Sequence, residues 1–142
     1  MNVKIKKLND NAVVPQYQTE GAAGFDFHST EEKLIMPGET ALIATGLSVE
    51  LPLDVELQVR PRSGMSAKSK VRVANSPGTI DSDYRGEIKI ILDNTGLTPY
   101  TINVGDRIAQ GVLAPVFRAE FVVVEELGDT ERGAGGFGSS GK

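Results

Sequence analysis

Five short stretches of this 142-residue chain bring together residue types that can do chemistry. The richest runs Asn75-Ser76-Pro77-Gly78-Thr79-Ile80-Asp81-Ser82-Asp83-Tyr84-Arg85-Gly86-Glu87. Pro77-Gly78 and Gly86 mark turns at its two ends, so Asn75, Asp81, Asp83 and Tyr84 share one compact loop. A carboxylate held there, within hydrogen-bond reach of a water, can take up the water's proton. Acids that merely solvate a turn would look the same. A second stretch, Arg60-Pro61-Arg62-Ser63-Gly64-Met65-Ser66-Ala67-Lys68, sets two arginines before a short helical pattern over Ser63 to Ser69, with Ser63 as candidate cap. Guanidinium forks beside free N–H groups suit a phosphate; an exposed capped turn is the alternative.

The third stretch, Ala22 to Ser29, places Asp26 between Phe25 and Phe27, which is also what a strand with one aromatic face looks like. The fourth, Gly105-Asp106-Arg107-Ile108-Ala109-Gln110, is a turn entering a strand that carries Gln110. The fifth is the C-terminal segment, with glycine at 128, 133, 135, 136, 138 and 141. Its Gly133 to Gly138 run satisfies a dinucleotide-binding string, and Gly136 to Lys142 most of a phosphate-loop string. Neither has the strand before and helix after that those motifs require. A glycine-rich chain can still bring backbone N–H groups close to phosphate oxygens, with Arg132 adding a charged fork.

Composition limits what these stretches can do. With no cysteine there is no thiolate nucleophile, thiolate metal site or disulfide. The lone imidazole, His28, reads as a packing or surface residue. Catalysis must lean on carboxylates, hydroxyls, arginines and backbone donors. A net charge of −4 argues against non-specific binding to nucleic acid, which needs clustered cations. Charge is unevenly placed, however: Arg60 to Arg72 holds five cations and no acid, whereas Glu120 to Glu131 holds five acids and no cation. No apolar run approaches the ~20 residues that span a bilayer. The expectation is a soluble cytoplasmic chain with no membrane and no nucleic-acid partner.

The elements that must position these residues read as strands. Apolar residues alternate with polar ones at Val3 and Ile5, Leu47 to Leu51, Val55 to Val59, Val71 and Val73, and Tyr100 to Val104. The continuous runs Ile90-Ile91-Leu92 and Phe121-Val122-Val123-Val124 predict strands covered on both faces. Pro37-Gly38, Pro52, Pro77-Gly78, Asn94-Thr95-Gly96 and Gly105-Asp106 punctuate them, predicting an all-β sandwich or barrel over 1–127. Residues 128–142 form an arm that stays mobile until a ligand or partner orders it.

In this order and spacing, the five stretches closely resemble the five signature motifs of the trimeric dUTPase family. The third motif, Gly78 to Glu87, and the fifth, Arg132 to Gly141, match without a break. The resemblance implies a distorted jelly-roll barrel and a homotrimer in which each active site draws on three chains. It implies hydrolysis of dUTP to dUMP and pyrophosphate with Mg2+ on the triphosphate, limiting uracil in DNA and supplying dUMP for dTTP synthesis. Asp81 matches the aspartate that activates water for attack on the α-phosphorus. Arg62, Ser63 and Gly64, with Gln110, match the residues that hold the phosphate chain. Asn75 and the backbone at Gly78, Thr79, Ile80 and Lys89 match a hairpin that reads uracil, and Tyr84 matches the tyrosine on the deoxyribose. By the same resemblance Arg132 reaches the γ-phosphate, Phe137 stacks over uracil, Gly138 and Ser139 donate to phosphate oxygens, and Asp26 acts on the metal through water.

Two departures stand out. Ser69-Lys70 replaces a His-Gly found in many members, and Ala74 replaces a larger aliphatic. They predict changed packing or an extra basic side chain at the edge of the site; Lys70 and Arg72 are alternatively a partner surface. A dCTP deaminase-like enzyme of the same fold and a non-catalytic β-rich trimeric binding protein are the competing functions. Retention of Asp81, Tyr84 and the Arg132 to Gly141 tail argues against the second.

Overall fold

Val55, Leu57 and Val59 are buried while Glu56, Gln58 and Arg60 between them reach solvent, the pattern of a strand with one covered face. This alternation builds most of the molecule. In the computed structural model, which describes residues 1–138, the order is β1 (Lys4–Lys7), β2 (Phe25–His28), β3 (Lys33–Ile35), β4 (Thr40–Ala44), β5 (Leu47–Glu50), β6 (Val55–Arg60), α1 (Ser63–Lys68), β7 (Val71–Val73), β8 (Gly78–Ile80), β9 (Lys89–Asn94), β10 (Tyr100–Ile102) and β11 (Arg107–Pro115). The all-β expectation holds, with α1 as the single helix among the described residues. No helix of the described residues is long and apolar enough to cross a membrane.

The strands form one sheet ordered β2-β11-β6-β8, a second ordered β4-β9-β7, and the pairs β1-β5 and β3-β10, all antiparallel. Phe27 and Leu57 from the first sheet meet Ile43, Ile90 and Leu92 from the second in one core, each at most 1% exposed. Packing of this kind, about 1.5–3 kcal/mol for each large apolar side chain fully buried, is what holds the layers together.

One turn fixes the loop between β8 and β9. Thr45, fully buried, donates its hydroxyl to the Ile88 carbonyl (2.6 Å), and the Ile88 N–H returns to the Leu47 carbonyl (2.8 Å). The Gly46 N–H donates to the Glu87 carboxylate (2.9 Å), and the Ser48 hydroxyl to the Arg85 carbonyl (2.7 Å). Four consecutive residues thus clasp the segment 85–88. Gly46 allows the turn because its φ is +66°, and its α-carbon lies against other loops: a Cβ there would be 2.7 Å from Asn9 Nδ2 and 2.9 Å from Ala12 Cβ.

Three expectations change. Phe121 to Val124 is not a strand: it pairs with no strand among the described residues, and its side chains are 93%, 75%, 98% and 55% exposed. The run's apolar character therefore does not come from burial in its own chain. Ile91 is only half-buried, so β9 alternates rather than being covered on both faces. Ser63 is the first residue of α1, not its cap; Arg62 occupies the cap position in extended conformation and no side chain caps the helix.

Gly46→Ala is expected to destabilise the protein by about 2–4 kcal/mol, combining a disfavoured backbone with overpacking. Urea unfolding measures this; an unchanged midpoint would mean that the turn has slack the contacts do not show.

Candidate active site

Strand register brings three of the five stretches together. Gln110 on β11 stands opposite Asp26 on β2 and opposite Arg60 on β6, so the three lie in one row across the sheet. After Arg60 the chain turns at Pro61, and the Arg62 Nε donates to Asp26 Oδ1 at 2.7 Å. Arg107 approaches the other carboxylate oxygen, its Nη1 3.5 Å from Oδ2. Arg62 makes its bond through Nε, which leaves its Nη1 and Nη2 donors for another acceptor. Two guanidiniums on one carboxylate leave the cluster net positive, in a chain that is negative overall.

Gln110 is positioned from two sides. Its Nε2 donates to the Pro61 carbonyl (2.9 Å), and Gly24 passes beneath it so closely that a Cβ would be 2.6 Å from its Oε1. Nearby, the Nδ1 of His28 is buried with no hydrogen-bond partner, and burial lowers its pKa, against the opposing pull of Asp26. The imidazole is a neutral packing residue at neutral pH.

The stretch from Asn75 to Glu87 forms a separate hollow of about 460 Å3, within the range of small-molecule sites. Asn75, Gly78, Thr79, Ile80, Asp81, Tyr84 and Lys89 line it, with Leu42, Val59 and Ile91 as apolar wall. β8 is the outer strand of its sheet: Gly78, Thr79 and Ile80 pair with Val59, Gln58 and Leu57 on one side only. Its second backbone edge therefore has no strand partner, and its N–H and C=O groups are available to a ligand. β8 and β9 join different sheets, so the expected hairpin is an open loop whose limbs do not pair with each other.

Inside that loop the Tyr84 N–H donates to the Asp81 carbonyl (3.1 Å), and the Tyr84 hydroxyl to the Glu87 carbonyl (3.0 Å). The Arg85 Nη1 donates to the carbonyls of Ser82 (2.7 Å) and Tyr84 (3.1 Å), stapling the turn. The positioning work of Arg85 and of the Glu87 carboxylate was not read from the sequence. The only local signal for either is its place beside the turn glycine Gly86.

The remaining residues lie elsewhere. Arg62 and Gly64 line a second hollow with Lys68 and Arg107, and Gln110 a third with Pro61 and Pro77; neither shares a lining residue with the first. Arg132 donates its Nε to the Gly135 carbonyl (2.7 Å), and Phe137, at φ 52°, is fully exposed. Neither they nor Gly138 line the Asp81 hollow, and Ser139 is outside the described residues. Ser69 closes α1, its hydroxyl donating to the Met65 carbonyl. The Lys70 carbonyl accepts from Thr95, and Arg72 donates to the Ser69 and Val71 carbonyls, so this segment is tied into the fold. Ala74 extends β7 by a hydrogen bond to Ile91.

The family model for dUTPase matches residues 10–141. The chain belongs to the dUTPase family. It is 58% identical over 142 residues, the whole of both chains, to the deoxyuridine 5'-triphosphate nucleotidohydrolase of Nautilia profundicola. It is 51% identical over 141 residues to that of Helicobacter pylori strain J99, covering 99% of this chain and 97% of the relative. Among solved structures it is similar to the Staphylococcus bacteriophage 80alpha dUTPase with dUpNHpp, at TM-score 0.92, 31% identity and 99% coverage of both chains. A dUTPase from S. aureus phage phi11, solved to show coordination of a structural Mg(II) ion, is 26% identical at TM-score 0.86, covering 91% of this chain and 100% of that one.

Like these relatives, this dUTPase is a dUTP nucleotidohydrolase, and the deaminase and silent-binder alternatives give way. Its substrate joins a flat base to a triphosphate. The chain offers two distinct surfaces, an open backbone edge with an apolar wall and an arginine cluster steadied by a carboxylate. Asp26→Asn weakens the grip on Arg62 and is expected to lower kcat/KM for dUTP by about tenfold or more, with partial recovery in Asp26→Glu. Steady-state kinetics at fixed Mg2+ test this, and wild-type values in Asp26→Asn would remove Asp26 from the site.

Proposed function

We propose that Asp81 activates the water that attacks the α-phosphorus of dUTP. The water's proton passes to the Asp81 carboxylate, its oxygen bonds to phosphorus, and the bond to the bridging oxygen breaks to release pyrophosphate. The observation that carries this reading is the shared hollow: Asp81 and Tyr84 line it beside the unpaired edge of β8. Uracil presents alternating donors and acceptors that such an edge can match, at Gly78, Thr79 and Ile80, with Asn75 beside Gly78 and Lys89 at the far limb. Tyr84 packs on the deoxyribose and leaves no room for a 2′-hydroxyl.

Arg62, Ser63, Gly64 and Gln110 hold the α- and β-phosphates, and Arg132 the γ-phosphate. Phe137 stacks on the base, and Gly138 and Ser139 donate to phosphate oxygens. Mg2+ supplies charge neutralisation along the triphosphate. Among the described residues no three His, Asp or Glu side chains gather into a cage, which fits an ion carried by the substrate that keeps its waters. Asp26 would hold it indirectly, since each of its oxygens has a further lone pair to accept from a metal-bound water.

The working form is a homotrimer with the arm 128–142 closing over the site. Two features support sharing between copies: the phosphate-holding residues line hollows separate from Asp81, and Phe121 to Val124 is exposed on its own chain. A deoxynucleotide substrate fits action in the cytoplasm.

Purified protein with Mg2+ is expected to release pyrophosphate from dUTP much faster than from UTP, dCTP or dTTP. In that assay Asp81→Asn should lose about 10²–10⁴ in kcat while binding dUpNHpp by calorimetry as wild type does. Near-normal turnover would dismiss Asp81 as the base. Removing residues 132–142 should lower kcat/KM about a hundredfold or more and leave the thermal midpoint and the trimer's sedimentation unchanged, because a closing arm excludes water and completes the site. Full activity in the truncated protein would mean that the arm is not a lid.

A further inference from the structure

Tyr84 is 45% exposed, and its phenol is held in place by one hydrogen bond, from its hydroxyl to the carbonyl of Glu87. Glu87 is anchored in turn by the Gly46 N–H on its carboxylate. Between Tyr84 and Glu87 lies Gly86. A Cβ built on Gly86 would stand 2.5 Å from Tyr84 Cζ and 2.8 Å from its Cε2, and closer still to the hydroxyl oxygen. All three of its nearest neighbours are atoms of that one ring. Gly86 is not among the glycines with positive φ, so no left-handed backbone demands glycine there. What the position lacks is space, and the ring is what fills it.

We infer that Gly86 is a specificity-determining residue: its bare α-carbon is the seat on which the Tyr84 ring lies, and the seat sets where the ring meets the pentose. The inference rests on Tyr84 being the sugar platform. A methyl group at 86 pushes the ring off its seat and parts its hydroxyl from the Glu87 carbonyl. The obstructing atoms are the far end of a single side chain, so the ring gives way and the backbone stays. Discrimination by a packed surface against an added hydroxyl reaches only about 10²-fold, and it depends on close contact. A displaced ring loses that contact with deoxyribose and no longer closes the space that a 2′-hydroxyl would occupy. Asp81 precedes the ring by three residues and is held by its own turn, so the chemical step is affected much less than substrate fit.

The test is a cycle of Gly86→Ala, Tyr84→Ala and the double variant, with kcat and KM for dUTP and UTP and a thermal midpoint for each. Gly86→Ala is expected to raise KM for dUTP about tenfold, change kcat by less than about threefold, and bring the dUTP/UTP ratio of kcat/KM close to that of Tyr84→Ala. The double variant should match Tyr84→Ala, because with the ring gone the new methyl meets nothing. Wild-type discrimination in Gly86→Ala overturns the inference, as does full additivity of the two substitutions. Failure of both Gly86→Ala and the double variant to fold also overturns it, since the conflict would then be with backbone. If Tyr84→Ala itself keeps wild-type discrimination, the sugar-platform reading fails. If only Gly86→Ala keeps it, the platform stands and the seat does not.

Discussion

The buried hydroxyl of Thr45 is the contact on which the loop carrying Asp81 and Tyr84 depends. It donates to Ile88 and accepts from the N–H of Leu47, fixing β4–β5 against the segment entering β9. A loop from 81 to 87 is rich in polar groups and buries little, and left to itself it would sample many conformations. Clamping its return limb through Ile88, Glu87 and Arg85 converts most of that freedom into one arrangement. Asp81 and Tyr84 then need only local bonds, the turn N–H and the Arg85 staple, to be placed. A turn far earlier in the chain thus sets the geometry of the loop that carries Asp81 and Tyr84.

The cluster of Asp26, Arg62, Arg107 and Gln110 is built by the opposite means. There the backbone is committed to sheet, and side chains converge from three neighbouring strands and the turn after β6. Asp26 is central: without it, two guanidiniums would repel and splay, and with it they are held within one cluster. A short-range positive site suits a negatively charged chain whose ligand carries several negative charges, because the local field acts at contact distance while the global charge is screened over about 10 Å.

Much of this was legible in the residues. Alternation at Val55 to Val59 or Leu47 to Leu51 marks a covered face wherever it falls, so the all-β class and most strands followed from it. Alternation does not name the neighbour, however. That β8 joins β6 while β9 joins β4 is decided by contacts far apart in sequence, and no local signal separates that arrangement from a hairpin. The Asp26–Arg62 pair, bridging 36 positions, carries no local signal for the same reason, although each residue on its own has chemistry that marks it. Phe121 to Val124 misled because apolar content reports only that a surface will be covered, not that its own chain covers it.

The open edge of β8 has a second side. Unpaired strand edges are places where chains stick to one another, and enzymes that keep one for ligand binding risk fibrous association. Here the edge is three residues long, preceded by Pro77, which has no N–H to offer, and followed by the charge of Asp81. An incoming strand would find too short a ladder to extend and a repelling end, whereas a single planar base needs no more than that length. Brevity at β8 thus protects the protein against self-templating while leaving the edge open to a small ligand.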